Sequence, residues 1–276
     1  MSAYLRQRAV LFFLLALAVI WAIFPIAFML GSSFKPSGMI WAYPPAFVAS
    51  PTLDNYRQIS VLHPEFWGNI LNSLLVTSVT TVLTVAMALG SAFVFSRVRR
   101  RWLHVPAFTM ILVRMFPPII IIIPLFPVFN DLGILDTPIP LVLGGIAFSV
   151  SAATLLLKTF VDDVPIALEE AAMIDGCSHL GAFIRITVPV LKPATAAIAL
   201  VVAIATWNEY LFPLVFTSAD ARTAPVTIAI ALDNEDGVSW GAVMAMAAIH
   251  LLPPLTLVAL LHKQLVNVMS AGAVKG

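Results

Sequence analysis

The chain has 276 residues, 61% of them hydrophobic and only 11% charged, with a formal net charge of +1. Soluble globular domains carry about 25% charged residues, so this composition excludes a water-soluble fold and asks for lipid as the solvent of much of its surface, while near-neutrality gives no case for nucleic-acid binding. The single cysteine, Cys177, leaves neither an internal disulfide nor a metal cluster; it reads as a small filler residue.

A helical span needs about 20 predominantly apolar residues. In chain order, residues 10–30, 70–95, 105–129, 139–160, 191–212 and 240–261 meet that length. The fold class expected is an all-α membrane protein with six transmembrane helices. Pro117, Pro118, Pro124 and Pro127 in the third stretch, and Pro253 and Pro254 in the sixth, are expected to kink their helices without ending them. Neighbouring helices can satisfy the freed carbonyls. Arg6 and Arg8 before the first stretch resemble the start of a signal peptide, but its apolar run exceeds the usual 7–15 residues, which points to an uncleaved anchor. Residues 31–68 carry Pro36, Pro44, Pro45, Pro51 and Pro64 among Trp41, Tyr43, Tyr56 and Trp67. They read as an interfacial loop with short helices or as a docking surface for a protein outside the cell.

Lys and Arg favour the cytoplasmic side. Arg6, Arg8, Arg97, Arg99, Arg100, Arg101, Lys158, Arg185, Lys192, Lys263 and Lys275 fall on one set of loops and tails, against Lys35, Arg57 and Arg222 on the other. Both termini and the loop over about 161–190 are therefore expected to be cytoplasmic. In that loop Pro165 suits the first turn of a helix, and Asp162, Asp163, Glu169 and Glu170 suit the positive end of its dipole. Leu168, Ala171 and Ala172 form a narrow apolar face. Gly176 fits a left-handed turn, after which Ser178 can cap a second short helix running through Phe183 and Ile186. The product is a helix–turn–helix suited to a groove on another protein, or an amphipathic loop lying on the membrane.

Polar side chains within spans face the bundle interior or a water-filled cavity. Ser73, Thr77, Thr80, Thr81 and Thr84 share one helical face, with Asn72 beside it; they read as interhelical glue or as part of a path. Trp207, Asn208, Glu209 and Tyr210 end the fifth span with the groups that hold sugars, amide and carboxylate for hydroxyl pairs and aromatic faces for the ring; an aromatic belt fits equally. Arg114, one turn before Pro117-Pro118, needs a partner: freed carbonyls are the first reading, a place in the path the second. His250 reads as a helix-packing residue.

Glu170-Ala171-Ala172, Gly176, Ile186 and Val188-Pro189 are spaced as in EAA-x3-G-x9-I-x-L-P, with Val188 in the leucine position. The stretch resembles the EAA loop of the permease subunits of ATP-binding-cassette (ABC) importers. Asn72-Ser73-Leu74, the run from Trp207 to Leu214 and the tail from Ser270 to Gly276 resemble the carbohydrate branch of that family, the second permease of maltose-type systems. The resemblance implies the type I importer permease fold, with a cytoplasmic coupling helix–turn–helix that grips an ATPase through Glu170, Ala171, Ala172, Asp175, Gly176, Ile186 and Pro189. It implies a bacterial inner-membrane location and a complex with a second permease, two ATP-binding cassettes and an external solute-binding protein carrying a sugar. The chain itself is then no enzyme and holds no cofactor; no Walker A sequence occurs, so ATP and Mg belong to the partner ATPase. The substrate path is expected along Asn72, Ser73, Thr77, Trp207, Asn208 and Glu209. The expected domains are an N-terminal helix and external loop (1–67), a permease core (68–262) and a C-terminal tail (263–276). The alternatives are cargo such as a glycerol phosphate ester or polyamine, or an ion-coupled secondary transporter using Arg114, His250 and Glu209, which no convincing inverted repeat supports.

Overall fold

A computed structural model describes residues 2–44, 50–98, 100–233 and 237–273, the side chains of 2–4 and 265–273 excepted. Pro45, Arg99 and the end of the tail, Val274, Lys275 and Gly276, lie outside the described residues. Among these residues the elements are helical: α1 (Ser2–Ser33), α2 (Asp54–Leu62), α3 (Phe66–Arg97), α4 (His104–Met115), α5 (Pro118–Asp131), α6 (Pro138–Asp163), α7 (Ile166–Ile174), α8 (His179–Ala182), α9 (Val188–Val190), α10 (Lys192–Trp207), α11 (Leu211–Phe216), α12 (Ala224–Leu232) and α13 (Trp240–Ala273). Four helices are long and apolar enough to cross a membrane, and six spans result if each of two bent helix pairs counts as one. This fits the six-span expectation. Phe12, Phe13, Trp21 and Phe24 stand exposed on α1. Such a helix, apolar all round, requires a lipid or protein environment.

The third span departs from expectation. Pro117 and Pro118 do not kink a continuous helix; they end α4 and begin α5, and the two meet at 98°. A residue that precedes proline is pushed out of the helical region, and both Phe116 (ψ 132) and Pro117 (ψ 134) are extended. Pro118 then starts α5 where its missing N–H costs nothing. Pro124 and Pro127 lie inside α5, and Pro253 and Pro254 inside α13, without ending either helix. The fifth span stops at Trp207, before the expected Phe212, because the chain turns at Asn208 and restarts as α11.

The chain divides into two compact units, Met1–Trp67 with Thr227–Leu252, and Gly68–Val226 with Pro253–Gly276. In the first, Asn55 is a buried joint. Its Nδ2 donates to Ser33 O (2.8 Å) and Lys35 O (2.6 Å), and its Oδ1 accepts from Ser37 Oγ. A side chain at Gly241 would collide with Asn55 and Ser37, so the start of α13 can come this close only as glycine. Trp41 packs edge-on against Trp240 with ring centroids 5.2 Å apart, while Tyr43 stands almost fully exposed.

The second unit has two apolar cores. Ala88, Ala92, Ala153, Leu157, Val161, Val164, Leu191 and Ile198 form one from α3, α6 and α10. Val76, Ile122, Phe129, Leu141, Phe212 and Phe216 form the other. Gly144 lies against the Phe212 ring, and a Cβ on Gly145 would come within 2.8 Å of Thr80 Cγ2. Missing side chains on α6 thus set how closely α3 and α11 approach.

Candidate functional site

The loop between α6 and α10 carries the first candidate site. α7 begins at Ile166 with Pro165 as its cap residue, one position earlier than the first-turn placement expected. Asp162 and Asp163 end α6 and do not sit on the α7 dipole; Asp162 accepts from Lys158 Nζ at 2.6 Å. Asp175 is the C-cap of α7, and Gly176 follows with φ +90°. The N–H of Cys177 returns to Ala172 O (3.0 Å) and that of Gly176 to Met173 O (3.0 Å), closing the α7 carbonyls as in a Schellman-type end. Ser178 Oγ then accepts from Gly181 N (3.1 Å) and caps α8. A π-helical turn, Phe183–Thr187, joins it to α9, with Ile186 half-buried and Pro189 exposed.

Two neighbouring glutamates have opposite fates. Glu170, the motif residue, points outward, whereas Glu169 is 5% exposed. Arg97, at the end of α3, grips Glu169 through Nε at 3.1 and 3.0 Å and Nη2 at 2.9 Å, and Nη2 also donates to Val164 O. Thr187 Oγ1 donates to the same carboxylate at 2.9 Å. One ion pair therefore ties together the ends of α3 and α6, the first turn of α7 and the turn before α9. In the sequence Arg97 is one of a run of basic residues, and nothing local marks its pairing with Glu169, 72 residues away. Ala172 faces inward, not onto the apolar outer face expected of it. That face is made instead by Leu168 and Ala171, with Ile174, Leu180 and Ile184 also exposed on the hairpin.

The second site is a cavity of about 330 Å³ within the second unit. Of the expected path residues it brings together Ser73, Trp207 and Glu209, and its lining does not include Asn72, Thr77 or Asn208. Asn72 Nδ2 donates to Asp220 O (2.8 Å) and Arg222 O (3.0 Å), holding the loop after α11. Asn208 Nδ2 caps α10 on Ile204 O (2.8 Å). Thr77, Thr80 and Thr84 are buried. Trp207 is only 3% exposed, so its face is taken up by packing; Ser73 Oγ accepts from Ala224 N at 3.0 Å. Glu209 Oε1 accepts from Leu211 N (2.8 Å) and Phe212 N (3.3 Å), capping α11. Arg114 joins the lining; no hydrogen bond ties it to the carbonyls freed by Pro117-Pro118 among the described residues.

A third feature was not anticipated. Asp136 (φ +54°), in the loop before α6, accepts from the N–H groups of Ser218, Ala219, Asp220 and Ala221 and from Ser218 Oγ at 2.7 Å. Successive amides around one anion form a nest. Partial burial pushes the Asp136 carboxyl up, but the Ser218 hydroxyl and the amides of Ala221, Asp220 and Ser218 outweigh it and hold it well below the usual carboxylate range.

Apolar helices long enough to cross a membrane, a braced helical hairpin and a chamber that sets a few polar groups in a mainly apolar lining fit a membrane permease. Residues 81–270 match the family described as binding-protein-dependent transport system inner membrane component, and the chain belongs to it as an ABC importer permease. It is 34% identical to the trehalose/maltose transport system permease protein MalG of Thermococcus litoralis, over 94% of each chain. It is 30% identical to the diacetylchitobiose uptake system permease protein DasC of Streptomyces coelicolor, over 92% of each. A solved chain of a bacterial ABC transporter involved in alginate import has the same fold, with a TM-score of 0.79 at 22% identity, covering 95% of this chain and 98% of that one.

Proposed function

We propose that this permease lines one half of the translocation path of an ATP-driven importer for a carbohydrate. Its termini and its α7–α8 hairpin are cytoplasmic, and it works with a second permease, two separate ATPase chains that bind ATP and Mg, and an external solute-binding protein. The observation that carries the reading is the hairpin. Leu168, Ile174, Leu180 and Ile184 are exposed on it, outside the long apolar helices, while Arg97 and Glu169 brace it from behind. An exposed apolar patch on a braced element is suited to entering a partner's groove, and Glu170, Ala171, Asp175 and Gly176 lie at or beside it. The chamber pairs one arginine and one carboxylate with hydroxyls and aromatic rings, which suits a polyol and lacks the acidic excess a polyamine requires. The relatives named for trehalose, maltose and diacetylchitobiose point the same way.

The test is affinity purification of the chain from native membranes, together with uptake of labelled trehalose, maltose and diacetylchitobiose by a deletion strain. The expected result is co-purification with an ATPase and a second permease, and loss of uptake of one of the sugars. A chain that purifies without an ATPase would overturn the coupling role. Unchanged uptake of all three would overturn the carbohydrate assignment.

A further inference from the structure

We infer that the cavity of the second unit is a saccharide-binding chamber in which Arg114 and Glu209 contact sugar hydroxyls directly. The inference rests on the carbohydrate-importer reading and adds to it a site and a residue, Arg114. The volume of about 330 Å³ lies at the small end of the roughly 300–1,000 Å³ found for ligand sites, a size suited to a small saccharide. Arg114 stands in the last turn of α4. The negative helix end there favours a cation, but a charge at span depth remains costly on any scale. Its guanidinium, with five N–H donors, is committed to no group among the described residues and opens on the chamber.

Glu209 supplies the complementary half. Oε1 is taken by two amides of α11, which fixes the carboxylate's orientation, and Oε2 has no hydrogen-bond partner among the described residues. Thr206 lines the same cavity, and its buried Oγ1 also lacks a partner. Phe116, Phe148 and Phe212 supply aromatic wall. An uncommitted donor fork, an oriented acceptor and apolar rings are what a polyhydroxylated ring satisfies at once, through its hydroxyls and its C–H face. An apolar solute would leave Arg114 and Glu209 unpaired, which is penalised once water is excluded. An inorganic ion of either sign would meet one of them as a like charge.

Because Glu209 also caps α11, Arg114 carries the test. The complete importer, with wild-type or variant permease, is given labelled trehalose, maltose or diacetylchitobiose, and then single-position deoxy analogues of the sugar it transports. Arg114→Gln should assemble normally and lose about ten-fold or more in uptake rate, the scale of a hydrogen bond to a charged group, with Arg114→Lys partly restored. One deoxy analogue should be penalised in wild type and not further penalised in Arg114→Gln; the same binding protein delivers both, so its own preference cancels in the ratio. Wild-type uptake with an unaffected Arg114→Gln variant, or with every deoxy penalty the same in wild type and variant, would overturn the chamber alone. Failure of the wild type to import any of the sugars would overturn the carbohydrate reading and the chamber with it.

Discussion

Glu169 holds the most committed carboxylate of the hairpin, and the physics of a buried ion pair sets what its loss does. The side chains of Arg97 and Glu169 are 11% and 7% exposed. Removing one partner of such a pair leaves the other charge buried and uncompensated, which costs about 3–5 kcal/mol. Arg97→Met and Glu169→Leu should each lower the melting temperature of the purified complex and weaken transport. The double variant Arg97→Met/Glu169→Leu should lose less stability than Arg97→Met alone, because no lone charge remains. A double variant as unstable as the sum of the singles would count against the pair as the origin of the effect. Asp136 makes a second residue-scale prediction. Its carboxyl is held below the usual range, so its contribution is fully present above the unfolded value of about 3.9 and is lost only as pH falls through the folded-state value. Hydrogen exchange at Ser218–Ala221 should therefore show no stability change from this group between about pH 5 and 8. Asp136→Ala should accelerate that exchange by about ten-fold, since it strips one acceptor from several amides at once.

Gly176 decides the geometry of an element. Nothing lies within 4 Å of where its Cβ would be, so crowding places no demand on it; the demand comes from φ +90°. Left-handed backbone costs an L-residue roughly 1–2 kcal/mol, and a β-branched residue more. Gly176→Val should tilt α7 away from its partner surface, lowering sugar uptake and transport-linked ATP hydrolysis together while membrane insertion continues. Gly176→Ala should be milder. Wild-type uptake and ATPase activity in a correctly inserted Gly176→Val complex would sink the mechanical linkage. The hairpin was largely legible beforehand, because a capping serine and a turn glycine act on their immediate neighbours. The orientation of its glutamates was not. Glu169 and Glu170 are adjacent and chemically alike, and the partner that turns Glu169 inward lies 72 residues away.

For the molecule as a whole, the basic residues predict a topology that chemical labelling can read. Single cysteines at Ser178 and near the N-terminus should be protected from a membrane-impermeant thiol reagent in intact cells, and those at Tyr43 and Asp220 should react. An externally labelled Ser178 position would reverse the orientation and place the hairpin away from ATP. The number of spans, the hairpin and the membership of a permease family follow from the sequence itself. Apolar run length, turn chemistry and motif spacing are local quantities that any stretch carries unaided. Where the chain bends was only half readable: Pro117-Pro118 and Pro253-Pro254 look alike as dipeptides, yet one pair separates two helices and the other lies within a single helix. The chamber is legible only in part: Ser73, Trp207 and Glu209 belong to the path expected from the sequence, but their convergence with Arg114 belongs to the tertiary structure. A cavity is a property of the space between helices, and only packing decided that Asn72 and Asn208 would serve as clamps while Arg114 and Glu209 open onto the same volume.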